Sequence, residues 1–90
     1  MTIVWTKTKA GATGTGETRH CRYEFSVEPS EFFAGRFCWR SRITKIATGE
    51  VLSEGLGGTS GSVASCKKAA AEQMGIGGPR LDADIEQGKR

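Results

Sequence analysis

No apolar run in this sequence approaches the roughly 20 residues that a membrane-spanning helix needs. Close cysteine spacing is missing as well. Cys21, Cys38 and Cys66 are scattered and odd in number, which argues against a secreted disulfide scaffold and against a thiolate zinc site. There is one histidine, His20, and no convergent pair of carboxylates, so acid–base catalysis has little to be built from. Cys66 lies near an expected helix start but on that helix's packing face. No catalytic residue, metal ligand, cofactor or small-molecule substrate is therefore expected. The N-terminal Met-Thr-Ile-Val-Trp-Thr-Lys lacks the hydrophobic segment of a signal peptide, and the cytoplasm is the expected location.

Glycine is plentiful, at 13 of 90 residues, and implies many turns. The net charge of +3 is mildly basic and unevenly spread. Residues 36–45 carry four positive charges and no negative one. In an extended strand, alternate side chains face opposite sides. Phe37, Trp39 and Ile43 then form a core stripe, and Arg36, Arg40 and Arg42 a cationic stripe behind it. Arg22 adjoins that stripe if the neighbouring strand pairs with it. These four arginines form the expected partner-binding face, because phosphate charge dominates nucleic-acid affinity. A solvated face with arginines paired to Glu24 or Glu54 across strands is the alternative.

Along the chain, residues 2–8 are β-branched and aromatic and read as a first strand. Residues 10–18 read as a flexible Gly/Thr hairpin loop. Residues 20–27 alternate Cys21, Tyr23, Phe25 and Val27 against polar positions, a half-buried strand. Glu28-Pro29-Ser30-Glu31 breaks it. Phe32 and Phe33 follow, either as a core lid or as exposed anchors for a partner. The arginine strand runs to about Ile46, Thr48-Gly49-Glu50 turns, and residues 50–56 return.

Past the Gly-rich stretch 57–62, the period changes to that of a helix. Ser62 is its N-cap, with Val63, Cys66, Ala70 and Met74 on one face. Gly75 suits the left-handed C′ position and Pro79 bars a restart. The expected fold is α+β: an antiparallel sheet of three to four strands with one C-terminal helix across one face. Residues 1–78 form the expected domain and 79–90 a polar, flexible tail. Tyr23, Phe25, Phe37, Trp39, Ile43, Val63, Cys66 and Met74 are the expected core.

Phe37, Trp39, Arg40, Gly49, Val51, Glu54 and Gly55, followed by a helix from Ser62, resemble one unit of the YegP-like small bacterial proteins of unknown function. The resemblance covers residues 35–74 and implies a strand–turn–strand–helix fold more than a function. That family usually duplicates the unit, which this chain does not. The same stretch resembles the second half of a double-stranded-RNA-binding domain. Here, however, Lys67-Lys68 lie more than a turn past Ser62, and no helix precedes the strands.

The functional expectation is a non-catalytic module that docks a basic sheet face on an acidic partner, either nucleic acid or an acidic protein surface. The alternative is a small inhibitor or adaptor of the phage or mobile-element kind, acting by protein–protein binding through Phe32 and Phe33. An uncovered sheet edge would also be open to pairing with a second copy as a homodimer.

Overall fold

The computed structural model describes residues 2–90. Five strands, β1 (Ile3–Lys7), β2 (Ala12–Glu17), β3 (Cys21–Pro29), β4 (Phe37–Lys45) and β5 (Val51–Ser60), precede one helix, α1 (Val63–Glu86). The strands form one antiparallel sheet in chain order. The α+β class and the C-terminal helix match expectation. The strand count is five rather than three to four, because residues 12–17 are a strand and not a loop.

The reason is steric. Ala12, Gly14 and Gly16 alternate inward and are buried, while Thr13, Thr15 and Glu17 point outward. A Cβ on Gly14 would lie 2.6 Å from Trp5 Cε3, and one on Gly16 would lie 2.9 Å from Met74 Sδ. The strand is made of small residues because large ones from β1 and α1 fill the space above it. The outward threonines supply the β-branched preference for extended backbone.

β5 likewise continues past residue 56, through Gly57 and Gly58. A Cβ on Gly57 would sit 2.2 Å from Trp39 Cζ3. Gly57 is the extra residue where the β4–β5 pairing shifts between Trp39 and Arg40. Residues 57–60, read from the sequence as the approach to the helix, thus pair with β4 instead.

On the helix side of the sheet, Phe25 packs between other aromatics. Its ring centroid lies 6.0 Å from Trp5, 6.0 Å from Tyr23 and 6.2 Å from Trp39. Such pairs add about 0.5–1.5 kcal/mol each beyond burial. Cys66, Ala70, Met74 and Gly78, spaced by four, form the buried face of α1. Val27, Cys21, Ile43 and Ala12 complete the buried core, with Phe37 and Val63 half-buried against it. Burial pushes the Cys66 thiol up, with the Cys38 charge adding to it, and burial likewise raises Cys21.

Ser62 caps α1 as expected, its Oγ accepting from Ser65 N at 3.1 Å. The far end differs from expectation. The helix passes Gly75 and Pro79 and reaches Glu86, so residues 79–86 are helical rather than a frayed tail. Gly75, Gly77, Gly78 and Pro79 together cost a helix about 6 kcal/mol relative to alanine. Offsetting this, Leu81 and Ile85 pack on the core. Gly75, whose carbonyl Pro79 leaves without its usual helical donor, is exposed to water. The left-handed C′ residue is Gly88, at φ +77°. Gly88 N donates to Ile85 O at 3.0 Å and Lys89 N to Asp84 O at 2.8 Å, a Schellman closure. Among the described residues, no helix is long and apolar enough to cross a membrane.

Candidate partner-binding surface

The sheet face away from α1 is open, and the register lays its charges in rows. Val4, Thr15, Glu24, Arg42 and Glu54 are successive cross-strand partners. Thr6, Thr13, Ser26, Arg40 and Leu56 form the adjacent row. Arg40 and Arg42 therefore project from this face as the alternation predicts, opposite Trp39 and Ile43. They flank a shallow depression of about 480 Å³ whose lining includes Thr13, Thr15, Glu24 and Glu54.

This face is not a cationic stripe. Glu17, Glu24, Glu28 and Glu54 share it with Arg22, Arg40 and Arg42. Arg42 Nη2 donates to Glu54 Oε1 at 3.1 Å, and this bond raises the guanidinium's pKa. Arg22 Nε donates to Glu17 Oε2 at 3.3 Å. Among the described residues, Arg40 makes no ion pair. The cross-strand pairing with Glu24 or Glu54 that the sequence offers as the alternative is therefore what Arg42 adopts, with Glu54 as its partner and Glu24 opposite it, while Glu17 and Glu28 join the face from β2 and from farther along β3.

Arg36 is not on this face. It precedes β4 and closes the β3–β4 loop, its N–H donating to Phe33 O at 3.2 Å and its carbonyl accepting from Ser30 N at 2.8 Å. Ser30 Oγ accepts from Phe32 N at 3.2 Å and from Phe33 N at 3.1 Å. With Gly35 at φ +77°, these four bonds fix the loop backbone. Its tip presents Phe32 at 85% exposure and Phe33 at 56%. The two rings are exposed and do not form a lid on the core. They lie at the end of the sheet, away from the central depression.

That same end holds the β1–β2 turn and the start of α1. It carries Lys7, Lys9, Arg36, Lys67 and Lys68 against Glu28 and Glu31, which is the whole of the net +3. The other eight basic residues are matched by eight acidic ones. At the opposite end the pairing is direct: Arg19 Nη1 and His20 Nε2 each lie 3.0 Å from Glu86 Oε1. No local sequence pattern signals these lysines as a group, because β1, its turn and α1 meet only in the fold.

No protein family, no curated protein and no solved structure matches the chain.

Proposed function

We propose that this chain is a non-catalytic interaction module that docks on an acidic partner, nucleic acid or an acidic protein, through its basic end. The observation that carries this is the charge segregation: the end formed by the β1–β2 turn, the β3–β4 loop and the first turns of α1 holds all of the net charge. Such a surface steers an acidic partner in over roughly a Debye length and sets its orientation. The open sheet face, where carboxylates outnumber arginines, lends it less support. Burial and a raised pKa at Cys21 and Cys66, and the engagement of the one histidine with Glu86, are in keeping with this reading.

Immobilised chain should retain a partner at low salt and lose it as salt rises. Lys7→Glu combined with Arg36→Glu should abolish retention without lowering the melting temperature. Retention that ignores both salt and these changes overturns the proposal.

Exposure of Phe32 and Phe33 on a fixed loop favours a second possibility, an inhibitor or adaptor that inserts these rings into a protein partner. Capture that survives nuclease and high salt but is lost in Phe32→Ser with Phe33→Ser would establish it in place of the first.

A further inference from the structure

Lys7 ends β1, Lys9 lies in the turn after it, and Lys67 lies in the second turn of α1. These three side chains line one cleft of about 280 Å³, with Phe37 and Val63 as apolar wall. No carboxylate lines it. Among the described residues, none of the three lysines is in an ion pair, whereas Arg19, Arg22, Arg42 and Arg90 all are. Three lysines lining one space without a carboxylate make it a region of positive potential that attracts an anion.

One amine is held in place. Lys67 Nζ sits 5.6 Å from the centroid of the Trp5 ring, within cation–π range. The turn beside it is also fixed: Thr8 N donates to Gly11 O at 3.1 Å, and Thr8 Oγ1 accepts from Gly11 N at 3.0 Å. The backbone of the cleft and the Lys67 amine are thus ordered before binding, and the cost that is left is that of the exposed Lys7 and Lys9 side chains. Glu28, near the end of β3, and Glu31, on the loop that follows, do not reach the lining.

We propose that the Lys7–Lys9–Lys67 cleft binds phosphate groups. This rests on the acidic-partner proposal above and names the chemistry that the basic end recognises. An ammonium is a compact point charge with three donors, and lysine is an established phosphate binder in that role. Three of them around one space match the multiple oxygens and charges of an oligophosphate or a phosphodiester backbone. A lone carboxylate, with one charge and two oxygens, would leave the cleft under-neutralised. The apolar wall of Phe37 and Val63 lowers the local dielectric and strengthens each contact.

The test uses the full chain, a fluorescein-labelled single-stranded oligonucleotide, and two competitors at equal ionic strength: sodium tripolyphosphate and polyglutamate. The oligonucleotide should bind, with a slope of log affinity on log salt near about −2 for three phosphate contacts. Tripolyphosphate should displace it, and polyglutamate should not. Lys7→Gln with Lys9→Gln should weaken binding about tenfold or more. Arg80→Gln with Lys89→Gln, which removes two charges from the opposite end, should change it less than about twofold. Binding of tripolyphosphate by a chain that binds none of the oligonucleotide would assign the cleft to a free oligophosphate instead of a backbone. Equal losses in the two double variants would overturn the cleft. Binding of polyglutamate but of neither phosphate probe would overturn the phosphate assignment and leave the acidic-partner proposal standing. Binding of none would overturn both.

Discussion

The Thr18 hydroxyl donates to Asp82 Oδ1 at 2.8 Å, joining the β2–β3 turn to the last third of α1 across 64 positions of sequence. The same carboxylate accepts from His20 N at 3.0 Å through Oδ1 and from Arg19 N at 3.2 Å through Oδ2. Three donors of one turn are thus satisfied by one side chain. Asp82→Ala should cost about 1–3 kcal/mol, because it orphans half-buried donors bonded to a charge. Glu86→Ala should cost less, since its partners are exposed. Bonds from His20 and Arg19 hold the Glu86 carboxyl below its ordinary value. The stability it contributes is therefore present above the usual glutamate range and lost as pH falls through the lowered folded value. Chemical denaturation of the two variants, with amide exchange at Arg19 and His20, measures both effects. An Asp82→Ala chain as stable as the parent would show that the helix end is held by Leu81 and Ile85 alone.

The glycines divide into two kinds, and substitution should separate them. A Cβ on Gly75 or Gly77 meets nothing within 4 Å. Each change to alanine should stabilise by about 0.5–1 kcal/mol, through helix propensity and a less flexible unfolded chain. Gly57→Ala, by contrast, drives its methyl into the buried Trp39 ring and should destabilise by about 1–3 kcal/mol. Melting temperatures of the three variants should rise, rise and fall. A loss at Gly77 would mean that the helix needs its glycines for more than tolerance.

The same glycines explain what the sequence did and did not disclose. Alternation in residues 20–27 and 37–43 has a period of two with large apolar residues, and β3 and β4 were legible from it. β2 alternates just as strictly, but its inward residues are Ala12, Gly14 and Gly16. A pattern of small residues reads as a loop until Trp5 and Met74 are known to sit above it. The helix end was hidden for a similar reason. Local propensity argues for a stop at Gly75–Pro79, and long-range contacts of Leu81, Asp82 and Ile85 override it. The alternation of residues 36–45 puts Arg40 and Arg42 on the face opposite Trp39 and Ile43, where the structure has them. The sign of that face's charge depended on Glu17, Glu24, Glu28 and Glu54, whose positions beside them only strand pairing decides. Lys7, Lys9 and Lys67 converge through a helix laid back along the sheet, which no local pattern encodes.

Tyr23 is the chain's single tyrosine, so its titration can be followed directly. Burial pushes the phenol up to about 12, with negative charge at Cys21 and Asp82 adding to it. The unfolded chain releases this proton near about 10. Between those values the folded state holds a proton that the unfolded state has lost, so stability falls as pH rises through the window. Below about 10 this group makes stability no more sensitive to pH. Near-ultraviolet absorbance of the folded protein should show phenolate only toward about 12, or together with alkaline unfolding. A reversible midpoint near about 10 in a still-folded chain would show that Tyr23 is open to water.

Trp39 and Arg40 are adjacent in sequence and face opposite sides of β4, and their contrast tests the register of the whole sheet. Trp39 is 6% exposed, packs 6.2 Å from Phe25, and lies against Gly57 and Gly58. Trp39→Ala removes a large core aromatic that no neighbouring side chain can replace, since the strand beside it is glycine. It should cost about 3–5 kcal/mol. For a domain of this size that is a large share of the total of about 5–15 kcal/mol, and the variant should be partly or wholly unfolded near physiological temperature. Arg40 stands on the open face between Ser26 and Leu56 and makes no ion pair among the described residues. Arg40→Ala should therefore change stability by less than about 1 kcal/mol. A one-residue slip would exchange the two outcomes, because it turns every side chain to the other face. It would carry Arg40 and Arg42 onto the core side, where unpaired charge is far more costly than a lost aromatic contact. Thermal melts of the two variants decide the matter: an unfolded Arg40→Ala beside a stable Trp39→Ala would place the core on the wrong side of the sheet, and the charge balance drawn for the open face would fall with it.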